Sequence, residues 1–316
     1  MSKFISSFLF IILMIVLFLG CNREKEIENE GPVIALVLKT LNNPFFVDME
    51  KGAREAAEIL GVNLIVQGAE RDLDVEKQMQ IMENLIQRKV DAICLVPAGS
   101  REIIPAIVKA NNAGIPVLNI DNRLDMDALK EAGGKVEIFI GSDNYQGGLV
   151  MGEYLIQKLN GKGKIAVLEG VPGQESSIQR LRGFVKALES APDLEIVSSQ
   201  TANWEMSQGY DVFQNILQAH PEIEALFSGN DNMALGAIEA ISAAGKTGDI
   251  MVMGFDAIDD AKEAIKNGTM EASIAQSPRL MGKLAIEYAI KFMGGEKIPM
   301  EIPVKIKLVT RETLQE

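Results

Sequence analysis

The chain contains 316 residues, with 31 Lys and Arg against 44 Asp and Glu, which gives a net charge of −13 at pH 7. This acidic balance disfavours a nucleic-acid partner and a surface for acidic lipid, because both require clustered Lys and Arg. The length suits two domains of about 130–150 residues. A hydrophobic content of 47% allows each of them to bury a core.

The first 30 residues differ in composition from the rest of the chain. Lys3 supplies a positive charge, Phe4–Leu19 is apolar apart from two serines, and a polar stretch follows Cys21. This layout is typical of a secretory signal, and the apolar core is marginal for spanning a bilayer. We therefore expect the globular part in the periplasm or elsewhere outside the cytoplasmic membrane.

The end of this segment, Leu17–Cys21, resembles a bacterial lipobox, in which the Cys is lipidated and becomes the mature N-terminus. We predict a signal or lipoprotein leader over 1–20, a tether over 21–30, and lipidation at Cys21. An uncleaved helical anchor and cleavage without lipidation are the alternatives.

From residue 32 onward, short apolar runs alternate with segments of helical periodicity. Such alternation predicts parallel sheets covered by helices on both faces. In the first half we predict strands at Val33–Leu38, Val62–Val66, Ala92–Val96, Pro116–Ile120 and Val136–Ile140, and helices at Phe45–Leu60, Asp74–Arg88 and Arg101–Asn112.

After Gly141 and Ser142 the pattern starts again. We predict strands at Lys164–Leu168, Glu195–Ser199, Ala225–Ser228, Ile250–Gly254 and Glu271–Ala275, with helices at Gln146–Lys158, Ser176–Leu188, Ser207–Ala219, Met233–Ala244 and Ala257–Asn267. A last helix, Pro278–Met293, and a strand, Val304–Val309, follow the second unit and are expected to return to the first.

The expected fold class is therefore α/β, with two doubly wound parallel-sheet lobes. The N-terminal lobe is predicted to comprise 31–141 plus 277–305, and the C-terminal lobe 142–276 plus 306–316. In parallel α/β sheets, ligands bind at the carboxyl ends of the strands. Two such edges facing each other predict a cleft that closes on a small ligand by hinge motion.

Polar and aromatic side chains recur just after the predicted strands or at the start of the helices that follow. Carboxylates accept hydrogen bonds from sugar hydroxyls, amides and guanidinium donate to them, and aromatic rings pack on the apolar face of a sugar. The candidate ligand-binding residues are Lys39, Asn43, Phe45, Phe46, Asp121, Asn122, Arg123, Arg180, Trp204, Asn230, Asp256 and Gln276.

Several of these residues also have a structural interpretation that the sequence leaves open. Asn43 precedes a proline and suits a helix N-cap, and Asp256 suits the same role. Phe45 is compatible with an ordinary core position, Arg180 with a solvated helix surface, and Trp204 with packing of a loop. The prediction of a sugar site rests on the recurrence of these residue types at strand ends.

Catalytic alternatives find little support. His220 is the only histidine and precedes a proline at a helix end, so neither a Ser/His/Asp set nor a metal site is expected. Cys94 lies in an apolar run and is predicted to be a buried, inert thiol. Asp121 and Asp256 are expected to stay ionised among amides and Arg, whereas glycosidase chemistry needs one protonated carboxyl. We predict no enzyme activity and no cofactor.

Four segments identify a family resemblance that covers about residues 32–313. The chain resembles bacterial periplasmic sugar-binding proteins of the ribose/allose/galactose branch, which have the type I two-lobed fold with a three-strand hinge. The segments are Leu38–Phe46, Asn230–Gly236, Gly254–Asp256 and Ile274–Gln276.

Within the branch, Val37–Leu41 and Asp125–Gly134 are most similar to the D-allose binder. The resemblance implies that all the candidate residues contact the ligand. Asn122 departs from the pattern, because ribose binders have Arg there and the allose binder has Glu. An allose-like hexose is therefore expected first, and ribose or allulose next.

The resemblance also implies a hinge near Gly141-Ser142, Gln276-Ser277 and Lys305-Ile306. It implies a monomer without a cofactor, whose partners are the membrane permease of an ABC importer and, second, a chemoreceptor. The alternative function is a sugar sensor that presents its ligand to a chemoreceptor or sensor kinase. Sugar-responsive transcription regulators use the same module, but they carry an N-terminal helix-turn-helix in place of an export segment.

Overall fold

A computed structural model of the chain describes residues 31–315, so the predicted leader, the tether and Cys21 lie outside the described residues. Two six-stranded sheets organise this part of the chain. The first has the strand order β11-β5-β4-β3-β1-β2, and the second β12-β10-β9-β8-β6-β7. All pairs are parallel except β10 with β12, which is antiparallel.

The strands are β1 (Val33–Thr40), β2 (Asn63–Ala69), β3 (Ala92–Leu95), β4 (Val117–Ile120), β5 (Phe139–Ser142), β6 (Lys162–Glu169), β7 (Asp193–Thr201), β8 (Ala225–Ser228), β9 (Met251–Asp256), β10 (Ala272–Ala275), β11 (Glu301–Val304) and β12 (Lys307–Thr310). The helices are α1 (Pro44–Leu60), α2 (Val75–Gln87), α3 (Ile104–Asn112), α4 (Met126–Glu131), α5 (Asn144–Lys158), α6 (Glu175–Leu188), α7 (Met206–Ala219), α8 (Asp231–Ala243), α9 (Asp259–Asn267) and α10 (Pro278–Met293).

Helices cover both faces of each sheet, as the apolar strands require. On the first sheet, α1 and α10 pack over one face and α2 and α3 over the other. On the second sheet, α7, α8 and α9 cover one face and α5 and α6 the other. We call each sheet with its helices a lobe. The predicted fold class, two α/β lobes with predominantly parallel sheets, is confirmed.

The last helix belongs to the core of the first lobe, where Met281 and Ile286 are fully buried. It crosses α1 so closely that a Cβ at Gly52 would lie 1.9 Å from the carbonyl oxygen of Arg279. A Cβ at Gly282 would meet the Met49 carbonyl at the same distance. The chain therefore passes between the lobes after Ser142, after β10 and between β11 and β12.

Two predicted strands differ from the observed ones, and one observed helix was not predicted. The single strand predicted at Val304–Val309 is two strands in different sheets, because residues 305–306 carry the chain from one sheet to the other. The strand predicted at Val136–Ile140 is observed at Phe139–Ser142. The six-residue helix Met126–Glu131 was not predicted, because it is too short to show a helical period. Among residues 31–315, no helix has both the length and the apolar character needed to cross a bilayer.

Candidate functional site

A small cavity of about 20 Å³ lies between the carboxyl ends of the two sheets. Nine of the twelve candidate residues line it, together with two that were not predicted. The lining residues are Lys39, Asn43, Phe45, Phe46, Asp72, Asp121, Ser176, Arg180, Trp204, Asn230 and Asp256.

Several of these side chains are aimed by an unusual backbone. Asp121 has a φ of 61°, Trp204 of 67° and Asp256 of 113°. Residues other than glycine rarely adopt positive φ, at a cost of about 1–3 kcal/mol each, and such strain clusters at functional sites. The three residues follow or end β4, β7 and β9, so the strain sits at the strand ends that surround the cavity.

Arg180 is buried against the cavity wall, which excludes the solvated interpretation. Its Nε donates to Asn144 Oδ1 at 2.8 Å, and its Nη1 donates to the carbonyl of Gly229 at 2.7 Å. The guanidinium lies 3.7 Å from the centre of the Phe255 ring and 3.5 Å from a carboxylate oxygen of Asp256. This arrangement fixes a cation and leaves part of its donor fork for a ligand.

The carboxylates around it are strongly desolvated. Burial raises the pKa of Asp256 from 3.8 to about 6, against the opposing charge of Arg180. Burial also raises the pKa of Asp121, and it raises that of Asp72 to about 7. With a pKa of about 6, Asp256 is still mainly ionised at neutral pH, but burial brings its titration much closer to neutrality than the sequence indicated.

Two buried oxygen atoms at the site have no hydrogen-bond partner within the described part of the chain. They are Oδ1 of Asp121 and Oε1 of Gln276. Buried polar atoms in native proteins are nearly always paired, so each exception calls for an explanation. A ligand that donates a hydrogen bond would satisfy the oxygen of Asp121, which lines the cavity.

Aromatic rings form the apolar part of the wall. Phe45 and Phe46 pack edge to face with ring centres 5.3 Å apart, and Asn43 caps their helix by accepting from the Phe45 N–H. The ring of Trp204 lies against Gly170, where a Cβ would come within 1.8 Å of it. One indole is thereby locked in place, with only 5% of its surface exposed.

Lys39 and Trp204 share a partner that the sequence did not reveal. Lys39 Nζ donates to Gln174 Oε1 at 3.0 Å, and Trp204 Nε1 donates to the same oxygen at 2.8 Å. Burial lowers the pKa of Lys39, although Asp121 and Asp72 oppose the shift.

Three candidate residues do not line the cavity. Asn122 is fully buried but its side chain is bonded to other protein groups. Arg123 turns outward to Glu301 at 2.7 Å and stacks on Phe139. Both follow Asp121, whose backbone has a positive φ. Gln276 contacts Asp256, because its Nε2 donates to Asp256 Oδ1 at 2.8 Å.

Two lining residues escaped the sequence analysis. Asp72 follows the end of β2, a strand end whose carboxylates were not considered. Ser176 opens α6, four residues before Arg180, and only the tertiary fold brings it to the cavity. Inspection of every strand end would have found Asp72.

Outside the cavity, Cys94 and His220 match their predicted environments. Cys94 is fully buried, which raises the pKa of its thiol to about 12. His220 ends α7 on the surface. Within residues 31–315, no three His, Cys, Asp or Glu side chains come together as a metal-binding group.

Comparison with known proteins places the chain in a family. The model of the family described as periplasmic binding protein domain matches residues 34–297. The chain belongs to this family. It is 40% identical over 279 residues to the ribose import binding protein of Bacillus subtilis, covering 88% of this chain and 87% of that protein.

Further members extend the comparison. The D-allose-binding periplasmic protein of Escherichia coli is 36% identical over 277 residues, with 87% of this chain and 89% of that protein covered. A solute binding protein of Actinobacillus succinogenes, solved with bound D-allose, superposes with a TM-score of 0.85 at 42% identity. That match covers 90% of this chain and 99% of the other. These relatives are binding proteins, and the predicted family resemblance is confirmed.

Proposed function

We propose that the protein is the extracytoplasmic receptor of an ABC importer and captures a monosaccharide between its lobes. The observation that carries this proposal is the cavity wall itself. It combines a buried guanidinium, carboxylates with an unpaired acceptor, amides and aromatic rings, which together complement a neutral polyol with one apolar face. The named ligands of its relatives, ribose and D-allose, support the same class.

Within this proposal, Asp121 and Asp256 accept from sugar hydroxyls, and Arg180 and Asn230 donate to them. Phe45, Phe46 and Trp204 bound the ring, while Lys39 donates from the first lobe. Gln276 acts through Asp256 and by its own unpaired oxygen. Asn122 and Arg123 are left out of the contact set, because neither lines the cavity.

An allose-like hexose is the first candidate, with ribose and allulose next. Lys39 supports this order, since it places a further donor at the cavity, where a larger sugar has an additional hydroxyl. The three crossings between the sheets would serve as the hinge, and they support the two predicted lobes as the moving units.

The family supports a location outside the cytoplasm and the membrane components of an ABC transporter as partners. Lipidation at Cys21, the leader over 1–20 and a monomeric state belong to the proposal. A chemoreceptor would be a second partner, and presentation of the sugar to a chemoreceptor or sensor kinase is the alternative function. Replacement of Cys21 by Ser should release the protein from the membrane fraction if the thiol is lipidated.

The sole tryptophan provides the decisive test, because Trp204 lines the cavity. Its fluorescence and the melting temperature should be followed during titration with D-allose, D-ribose, D-allulose, D-galactose and D-xylose. At least one sugar should shift both. A panel that shifts neither would refute the sugar proposal, and mass spectrometry after long incubation should recover the bound sugar unchanged.

A further inference from the structure

The N-terminus of α6 has no capping side chain from its own lobe. Gln174 occupies the N-cap position and makes no side-chain bond to the first turn. Side chains of the first lobe replace it: Glu175 N donates to Ser100 Oγ at 3.0 Å, and Ser176 N donates to Asn122 Oδ1 at 3.1 Å. The helix that carries Arg180 is therefore capped across the interface between the lobes.

The two capping residues are themselves held rigidly. Asn122 is fully buried, and its Nδ2 donates to the carbonyl of Pro97 at 3.0 Å and to Ser100 Oγ at 3.3 Å. The Ser100 hydroxyl donates in turn to the carbonyl of Arg123 at 2.8 Å. Neither Ser100 nor Asn122 lines the cavity. Their side chains thus face the second lobe and not the ligand.

Gln174 completes the contact from the opposite direction. Its Nε2 donates to the carbonyl of Ala98 at 2.6 Å, and its Oε1 accepts from both Lys39 and Trp204. The side chain is completely buried. Its Oε1 therefore links the lobes and at the same time orients Lys39 and Trp204, which line the cavity from different lobes.

A second cross-lobe contact, between Arg71 and Glu205, is of a different kind. Its atoms are 2.7 Å apart, but the Arg71 side chain is 50% exposed. Exposed ion pairs contribute little because water and salt screen them. The hydrogen bonds of Ser100, Asn122 and Gln174, which are less exposed to water, are the contacts that closure can depend on.

We propose that Ser100, Asn122 and Gln174 form an interlobe clasp that sets how strongly the lobes stay closed. Through closure the clasp sets the affinity for the ligand, although Ser100 and Asn122 do not touch it. The effect on affinity rests on the proposed function, whereas the effect on closure does not. The clasp also gives Asn122, the departure from the family pattern, a role at the interface.

The size of the effect follows from the equilibrium between open and closed forms. When only the closed form binds tightly, the apparent affinity falls in proportion to the closed fraction. In the open form the N–H groups of α6 are hydrated, so each lost bond weakens closure by the net value of one hydrogen bond, about fivefold in the equilibrium constant. Because Asn122 Nδ2 also donates to Ser100 Oγ, the two caps are coupled, and loss of both should weaken closure by more than fivefold but by less than the product of the two single effects.

The first measurement uses Ser100→Ala, Asn122→Ala and the double variant, titrated with D-allose and D-ribose by calorimetry and stopped-flow fluorescence. We expect a rise in the dissociation constant of about fivefold for each single variant and a larger rise, below the product of the two, for the double variant, mainly through faster release. Ser190→Ala is the matched control, because its hydroxyl bonds Ala187 at the other end of α6 within one lobe. It should bind as the parent does.

The second measurement needs no ligand. Residue-resolved hydrogen exchange of the Ser176 amide should be faster in Ser100→Ala than in the parent protein, although Ser100 does not contact that amide, because the lobes open more often. In Ser190→Ala it should be unchanged. If no sugar binds the parent protein, the proposed function fails while exchange still tests the clasp. Exchange at Ser176 that is the same in Ser100→Ala as in the parent would overturn it.

Discussion

Nη1 of Arg180 lies 3.5 Å from Oδ1 of Asp256, and both side chains are less than a tenth exposed. A buried pair of this kind is stable only when its remaining donors and acceptors are satisfied. Gly229 and Asn144 hold the guanidinium, and Gln276 holds the carboxylate. The pair therefore presents a fixed positive and a fixed negative group to whatever enters the cavity.

Arg180→Lys should weaken sugar binding by about a hundredfold, because an ammonium cannot reproduce the fork that bonds Gly229, Asn144 and the ligand together. Isothermal titration with a sugar that binds the parent protein measures this directly. Arg182→Lys, on the exposed side of the same helix, is the control and should leave the affinity unchanged. Equal affinities for Arg180→Lys and Arg182→Lys would exclude Arg180 from the site.

Asp121→Asn should abolish or strongly weaken binding without loss of stability. The unpaired Oδ1 makes no bond that the fold needs, and burial already penalises the charge. A hydrogen bond to a charged group is worth about 1.5–3 kcal/mol, which corresponds to a loss of affinity of about tenfold to hundredfold. The melting temperature should stay the same or rise.

Asp231→Ala is the matched control for Asp121, because this buried carboxylate has a structural task. It accepts from the Ile258 N–H at 2.9 Å and from Ser273 Oγ at 2.7 Å. Its removal leaves two buried donors unpaired, so the free energy of unfolding should fall by about 2–4 kcal/mol. If Asp121→Asn destabilises the protein and Asp231→Ala instead abolishes binding, then Asp231 binds the ligand and Asp121 stabilises the fold.

Stability and affinity should respond to pH in opposite directions. Because the pKa of Asp256 rises from 3.8 to about 6 on folding, the folded protein binds more protons between these values, and stability falls as pH increases through this window. Sugar hydroxyls need the ionised carboxylate, so affinity should increase over the same window. Thermal melts and titrations at a series of pH values test both trends. Asp256→Asn should reduce both slopes, while Asp72 and Asp121, whose pKa values burial also raises, keep part of the dependence of stability. An unchanged affinity profile in that variant would assign the dependence to another group.

The fold could be predicted from the sequence because buried parallel strands form continuous apolar runs, which are easily recognised. The split of the last strand was not, since residues 301–310 carry no turn signal at the point where the chain changes sheets. Strand ends predicted most of the cavity for the same geometric reason. Asn122 and Arg123 follow a strand end as well but do not line the cavity, and the sequence gives no sign of the left-handed backbone at Asp121 that precedes them.

The clasp could not be predicted from the sequence. Gln174 and Ser100 lie in loops with no periodicity, and they meet only when both lobes are folded and adjacent. The raised pKa of Asp72 could not be predicted either, because it depends on how completely residues from distant segments bury the carboxylate. Contacts across an interface and the cost of burying a charge are both tertiary properties.

Gly170→Ala should disable the site through Trp204. A Cβ at position 170 would come within 1.8 Å of the indole, which must then leave its place in the cavity wall and its bond to Gln174. We expect affinity to fall as far as in Trp204→Ala, with altered tryptophan emission in the ligand-free protein. Gly294→Ala is the control, because its Cβ would lie 3.4 Å from its nearest neighbours, an ordinary contact distance. Normal sugar binding by Gly170→Ala would show that the position of the indole is not required.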